Sequence, residues 1–279
     1  MKTLVIGLGS AGCKIAKYFS VYSQYEILSI DTGNNDYENF VEYPKFDNHE
    51  FYDDHEPNLE IPSGDGNVLF ITCGAGKISG ASLRILEELK GNNITVLYVK
   101  PDLDMLAEKA KKTEKITFQV LQQYARSALL ERLVVVDNSV GEKIIPEVPL
   151  SMYWNSINET IASTFHMINV FSNTQPEITT FSAIPETARI QTIGFSDLEK
   201  DNDALFYSLQ NQREKLYYYA INEDTLENEP GLYKKITKQV KMKKSENLRT
   251  SFSVYSTKYD LNYVYVLCAA SSIQEENIS

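Results

Sequence analysis

The chain has 279 residues, 43% of them hydrophobic, which is enough apolar side chain for one large core or two modest ones. Its formal net charge of -11 excludes wholesale nucleic-acid binding and attraction to an anionic membrane, both of which need a basic surface; the cluster from Lys234 to Lys244 is a local exception. No apolar run approaches the roughly 18 residues of a membrane span. No signal-peptide pattern follows Met1, and Cys13, Cys73 and Cys268 lack metal-ligand spacing, so a soluble, intracellular protein with reduced thiols and no side-chain metal site is expected.

Thr3 to Ile6 is a short β-branched run that ends in Gly7-Leu8-Gly9-Ser10-Ala11-Gly12, after which Ile15, Ala16 and Phe19 recur at helical spacing. Glu26 to Ile30 predicts a second strand, stopping at Asp31. The polar, aromatic-studded stretch to about Asp65 reads as loop and edge structure. Asn67 to Thr72 predicts a third strand, again followed by glycines (Gly74, Gly76, Gly80) and by a helix marked by Leu83, Leu86 and Leu89. Ile94 to Val99 is a fourth strand, Asp104 to Arg132 one or two helices, and Leu133 to Val136 a fifth strand closing on Asp137-Asn138. This alternation predicts a mainly parallel sheet covered on both faces.

From Tyr153, the apolar positions Ile157, Ile161, Phe165, Ile168 and Phe171 predict one long helix with a buried stripe, ended by Asn173 and Pro176. Beyond Thr179 the texture turns β-rich, with strands at Arg189 to Ile193, Leu216 to Ile221, Phe252 to Thr257 and Tyr263 to Ala269. Helices are expected near Asp203 to Gln212 and Pro230 to Lys244. The reading divides the chain into an α/β domain (1–152), a linking helix (153–176), a smaller α+β domain (177–270) and a disordered tail (271–279). His49, His55 and His166 are scattered, with His166 a packed or half-exposed side chain; Tyr217-Tyr218-Tyr219 reads as strand packing.

A strand that feeds a glycine turn and then a helix places backbone N–H groups and a helix dipole where a phosphate can sit; glycine also serves simply to turn tightly. The pattern occurs twice, and in an open parallel sheet both turns fall at the carboxyl ends of strands, where ligands bind. The first turn alone fits G-x-G-x-x-G, with Asp31 at the end of the second strand able to hold a ribose. A dinucleotide site of the NAD type is therefore one alternative.

Gly9-Ser10-Ala11-Gly12-Cys13-Lys14-Ile15-Ala16 resembles the first nucleotide loop of the tubulin/FtsZ superfamily, and Gly74 to Ser82 is similar to a worn form of its second, glycine-threonine loop. Val99-Lys100-Pro101, Val134 to Asn138 and Asn158-Glu159-Thr160-Ile161 continue the likeness in order. It implies a Rossmann-like nucleotide-binding fold with a long central helix and a cofactor that is GTP or GDP, with Mg²⁺ as an accompanying option. Backbone amides of Gly9, Ser10, Ala11, Gly12 and Cys13, and of Gly74, Ala75, Gly76, Lys77, Ile78, Ser79 and Gly80, would hold the phosphates. The hydroxyls of Ser10 and Ser79 would be added donors, and Lys77, where the family has glycine, would sit on a phosphate or point to solvent. Pro101 and Asn138 would join the nucleotide site, Asp104 would hold the ribose or stand as a solvated helix-start carboxylate, and Asn155, Asn158 or Glu159 would read guanine or be plain polar positions on an exposed helix face.

The resemblance also implies head-to-tail self-assembly into filaments or rings, with an adaptor unidentified, no nucleic acid, no membrane insertion, and a cytoplasmic setting or, for a viral chain, host cytoplasm or an assembled particle. The family's acidic loop after the central helix reads Ser172-Asn173-Thr174-Gln175-Pro176-Glu177 here, so Glu177 is the sole candidate catalytic carboxylate and its spacing does not match. The stretch from Asp31 to Gly74 is shorter than the family usually has, and Ser63-Gly64-Asp65-Gly66 is either an ordinary turn or a remnant of the γ-phosphate loop. Slow GTP hydrolysis or none is the expectation. A nucleotide-free assembly protein that keeps the fold is a further alternative.

Overall fold

The computed structural model describes residues 2–33, 36–57, 59, 66–145, 147–198 and 202–275. Two compact units divide the chain, Met1–Ser163 and Thr164–Ser279. Ser63, Gly64 and Asp65 of the turn discussed above lie outside the described residues.

The first unit contains β1 (Thr3–Leu8), α1 (Gly9–Lys17), β2 (Tyr25–Asp31), β3 (Phe40–Glu42), α2 (His49–Asp54) and β4 (Asn67–Cys73). It continues with α3 (Ser82–Glu88), β5 (Asn93–Lys100), α4 (Glu108–Arg126), β6 (Arg132–Asp137), α5 (Asn138–Ile144) and the start of α6 (Tyr153–Ser172). The strands follow the order β3-β2-β1-β4-β5-β6, and every pairing is parallel. Runs such as Leu133-Val134-Val135-Val136 are fully buried because helices cover the sheet and leave no strand face to water. α4 shows how a charged helix holds on: Glu114, Thr117, Phe118, Leu121, Gln122 and Ala125 face inward while lysines and Glu108 occupy much of the rest. Phe118 stacks on Tyr98 of β5 with ring centroids 5.2 Å apart, and burial of one such ring contributes roughly 1.5–3 kcal/mol.

The second unit carries the end of α6, then β7 (Ile178–Thr179), β8 (Ile190–Ser196), β9 (Asp203–Leu205), β10 (Gln212–Asn222), α7 (Glu223–Asn228), α8 (Leu232–Met242), β11 (Arg249–Thr257) and β12 (Tyr263–Ala270). Its strands run β8-β12-β10-β11-β7 with β9 on β8; only β10 and β11 are parallel, joined through α7 and α8. Strand alternation splits the tyrosine triplet. Tyr217 and Tyr219 join Leu232, Ile236 and Val240 in one core, while Tyr218 stacks with Tyr255 and bonds Ser172 of α6 at 3.1 Å. Aromatic packing is its role, as the sequence indicates.

Three stretches depart from expectation. The helix expected at Asp203 to Gln212 is the short strand β9 followed by turns, because Asp203 is gripped from three sides by Ser196 (2.8 Å), Tyr217 (2.8 Å) and Lys215 (3.0 Å), and by Lys243. Burial alone would raise Asp203, but the Lys243 and Lys215 ammonium groups and the Tyr217 hydroxyl hold it below the usual carboxylate range. The aromatic stretch before β4 contains a six-residue helix, α2, too short to print a period; it buries Tyr52 alone. The expected disordered tail is tied down as far as Glu275: buried Gln274 accepts a 2.6 Å bond from the Gln210 N–H, and residues 276–279 lie outside the described set. His166 is packed, one of the two placements expected of it, and burial lowers its pKa to about 4. No helix among the described residues is long and apolar enough to cross a membrane.

Candidate functional site

In the strand order of the first unit, β1 leads leftward to β2 and the chain then returns to the other side as β4. That reversal falls between β1 and β4, and open α/β sheets bind ligands at the carboxyl ends of the strands flanking such a reversal. Both glycine turns lie there: Leu8 pairs with Thr72, and the chain leaves β1 into Gly9 and β4 into Gly74. The β5 and β6 ends, with Pro101 and Asn138, follow along the same edge.

Gly9 opens α1 with φ at +71°, a left-handed conformation that glycine adopts without strain. Leu8 offers no side chain to cap the first turn, which leaves its N–H groups without a side-chain cap, as a bound anion requires. A Cβ on Gly7 would lie 2.8 Å from the Cys13 backbone nitrogen, and one on Gly12 would overlap the Ile71 carbonyl oxygen of β4. Cys13 itself turns inward: its thiol donates to the Gly7 carbonyl at 3.2 Å, and burial together with the nearby Asp31 carboxylate pushes its pKa up to about 12. It offers a ligand only its backbone amide. Ser10 is exposed at the start of the helix.

The second turn enters a 3-10 segment, Lys77–Ala81. The Ser79 hydroxyl, expected as a phosphate donor, is buried and bonded within the turn to the carbonyls of Gly76 (2.7 Å) and Gly74 (3.2 Å), so its one proton is spent. Ile78 is buried and would lie 2.9 Å from a Cβ on Gly9, so it locks the two turns together. Lys77 is exposed. Beneath Gly74 sits a buried charge cluster that sequence reasoning missed: Lys100 Nζ reaches Glu114 Oε1 at 2.8 Å, Tyr98 donates to the same oxygen at 3.0 Å, and Lys100 lies 4.2 Å from the Phe118 ring centre. Glu114 Oε2 is buried without a hydrogen-bond partner in the structure.

Asn155 and Glu159 are exposed on α6 and Asn158 is largely buried. Burial and, second to it, the Glu159 carboxylate raise the pKa of Tyr18, the residue that follows α1. Trp154, one turn before Asn158 and 56% exposed, is a flat aromatic surface on that helix that the sequence reading passed over. Asp104 is exposed, with its N–H taken by Asp102, while Pro101 is buried. Asn138 begins α5 with its side-chain oxygen buried and without a hydrogen-bond partner in the structure. Glu177 belongs to the second unit; it is exposed, and its N–H bonds the Val254 carbonyl.

Asp31 ends β2 as a buried carboxylate whose pKa is raised by burial, against the opposing pull of the Thr32 N–H and Lys14. Among the described residues no group of three or more His, Cys, Asp or Glu side chains could hold a metal ion.

No family model matches the sequence, and no curated protein matches it. Solved structures do match. The GTPγS-bound protofilament of CetZ2 from Haloferax volcanii is 14% identical, with a TM-score of 0.69 over 100% of this chain and 95% of that one. GDP-form protofilaments of TubZ from Bacillus thuringiensis serovar israelensis give 16% identity and 0.68 over 96% and 86%, and an empty FtsZ dimer from M. jannaschii gives 12% and 0.63 over 96% and 88%. The chain has the fold of the tubulin/FtsZ proteins, in a divergent form.

Proposed function

We propose that the chain binds guanine nucleotide at the carboxyl edge of its first unit and assembles head to tail into filaments or rings. The observation that carries this reading is the pairing of two glycine turns at the ends of adjacent parallel strands, locked by Ile78 against Gly9. The matching CetZ2 and TubZ structures, described as GTPγS-bound and GDP-form protofilaments, supply the guanine and the polymer.

In this reading the backbone amides of residues 9–13 and 74–80 hold the phosphates, with the Ser10 hydroxyl as an added donor. Pro101, Asp104 and Asn138 border the sugar. Asn155, Asn158 and Glu159 pair with the guanine edge and Trp154 offers a stacking face. The described side chains form no metal cage of their own, so a Mg²⁺ would depend on the phosphates for most of its ligands, with Asp31 the carboxylate beside the first turn. It would supply charge neutralisation there. Hydrolysis is slow or absent: Glu177 is the one carboxylate of the segment after α6 that bears on it. The setting is cytoplasmic, and the partner is the chain itself.

Denaturing the purified protein and chromatographing the released small molecules tests the reading. Guanine nucleotide, with a thermal shift on adding GTP and sedimentable polymer, is the expected result. No nucleotide and no shift would instead favour a nucleotide-free assembly protein, a reading that draws on Ile78 filling the space between the turns. NAD would favour the dinucleotide site.

A further inference from the structure

The edge that carries the glycine turns is unevenly charged. Lys100 is neutralised in place by Glu114, and Lys14 on α1 acts on Asp31. Lys77 is different. It is exposed and has no hydrogen bond or ion pair with any described residue. Its backbone is fixed all the same, because the next residue, Ile78, is buried against Gly9 of the first turn. On its other side lies Gly76, where an added Cβ would meet nothing nearer than Ile78 at 3.8 Å. A free ammonium on a flexible stem thus starts from the seam between the two turns, with open space beside it. The side-chain donor expected from this turn, Ser79, is consumed by the carbonyls of Gly74 and Gly76.

Anionic ligands for a cation are scarce at the same place. Asp31, the carboxylate beside the first turn, is buried, accepts from the Thr32 N–H at 2.8 Å and feels Lys14. We propose that Lys77 is a built-in counter-charge for the phosphates, so that guanine-nucleotide binding by this chain depends only weakly on a divalent cation. The proposal rests on the nucleotide reading above. A lysine ammonium does this work as a mobile point charge, making short, charge-assisted bonds to phosphate oxygens. It would stand where a metal ion otherwise neutralises them.

The test is titration of the nucleotide-stripped protein with a fluorescent guanosine diphosphate, in excess Mg²⁺ and in excess EDTA, for the native chain, Lys77→Ala and Lys77→Arg. The native chain is expected to bind within about threefold in the two buffers, under 1 kcal/mol. Lys77→Ala should lose about tenfold in EDTA and recover most of it in Mg²⁺, while Lys77→Arg stays close to native. Thermal melting of all three without nucleotide should coincide, since Lys77 is exposed. The proposal is overturned if EDTA abolishes native binding, or if Lys77→Ala is unchanged in EDTA or weakened equally in both buffers. Absence of binding by the native chain in either buffer overturns the nucleotide reading itself, and this proposal with it.

Discussion

At the first glycine turn a side chain on Gly7 or Gly12 would strike backbone atoms, the Gly12 carbonyl and Cys13 for Gly7 and the Ile71 carbonyl for Gly12, while Gly9 meets only the Ile78 side chain and is held to glycine by its φ of +71°. At the second turn Gly74 is closed by side chains, the Tyr98 hydroxyl and the Glu114 methylene, and Gly76 faces open space. Gly80 alone meets backbone there, at the His49 carbonyl of α2. A backbone wall cannot be relieved by changing a neighbour's identity, whereas a side-chain wall can. The first turn is therefore bound to its glycines, and the second can carry Lys77, Ile78 and Ser79 as long as the cluster beneath it holds.

The largest effect should come from that cluster. Lys100→Met leaves the Glu114 carboxylate buried without its ammonium, which is expected to cost about 3–5 kcal/mol in urea unfolding. The double variant Lys100→Met with Glu114→Gln should recover at least half of the loss; failure to recover would mean that packing against Phe118, and not charge, holds the turn. Gly12→Ala comes next, at about 3 kcal/mol, as its methyl must displace β4. No single change of a neighbouring side chain should rescue it. Gly74→Ala is expected to cost about 2 kcal/mol, and Tyr98→Phe, which removes the obstructing hydroxyl, should make the pair less damaging than the sum of the two single changes. Additive effects in that double-mutant cycle would break the contrast between the two turns.

The same contrast explains what could be read from the sequence. β1, β2, β4, β5 and β6 were legible because buried parallel strands are continuous apolar runs, and the first turn because its backbone walls leave glycine no substitute. The Lys100–Glu114–Tyr98 cluster was not legible. Its members come from β5 and α4, each looks like an ordinary polar position in its own segment, and only the parallel sheet brings them under Gly74. The inward turn of the Ser79 hydroxyl was hidden for a related reason: a serine in a glycine-rich turn reads equally as a ligand donor or a local cap, and the carbonyls of Gly74 and Gly76 decide. α2 was missed because six residues with one buried tyrosine print no period, and β9 because Asp203 is held by residues far along the chain.

The smallest effects lie where the second turn meets its other neighbours. Gly76→Ala should change unfolding stability by less than about 0.5 kcal/mol, since the residue has an ordinary φ of -77° and open space around it. His49 gives a pH signature instead. Its carbonyl backs Gly80, its Nε2 is buried without a hydrogen-bond partner in the structure, and burial lowers its pKa against the opposing pull of Glu50 and Asp53. A histidine depressed in the folded state is neutral there while the unfolded chain already takes up a proton. Its contribution to stability is therefore complete above the ordinary histidine value of about 6.5 and is lost as pH falls below it toward the folded value. His49→Gln should flatten the fall in urea midpoint between about pH 6.5 and 5 relative to the native chain. If the second turn depends on this wall as the first depends on β4, the same acidification should weaken nucleotide binding in the native chain more than in His49→Gln. Equal weakening in both would leave α2 a bystander and assign the turn's support to Tyr98, Glu114 and Lys100.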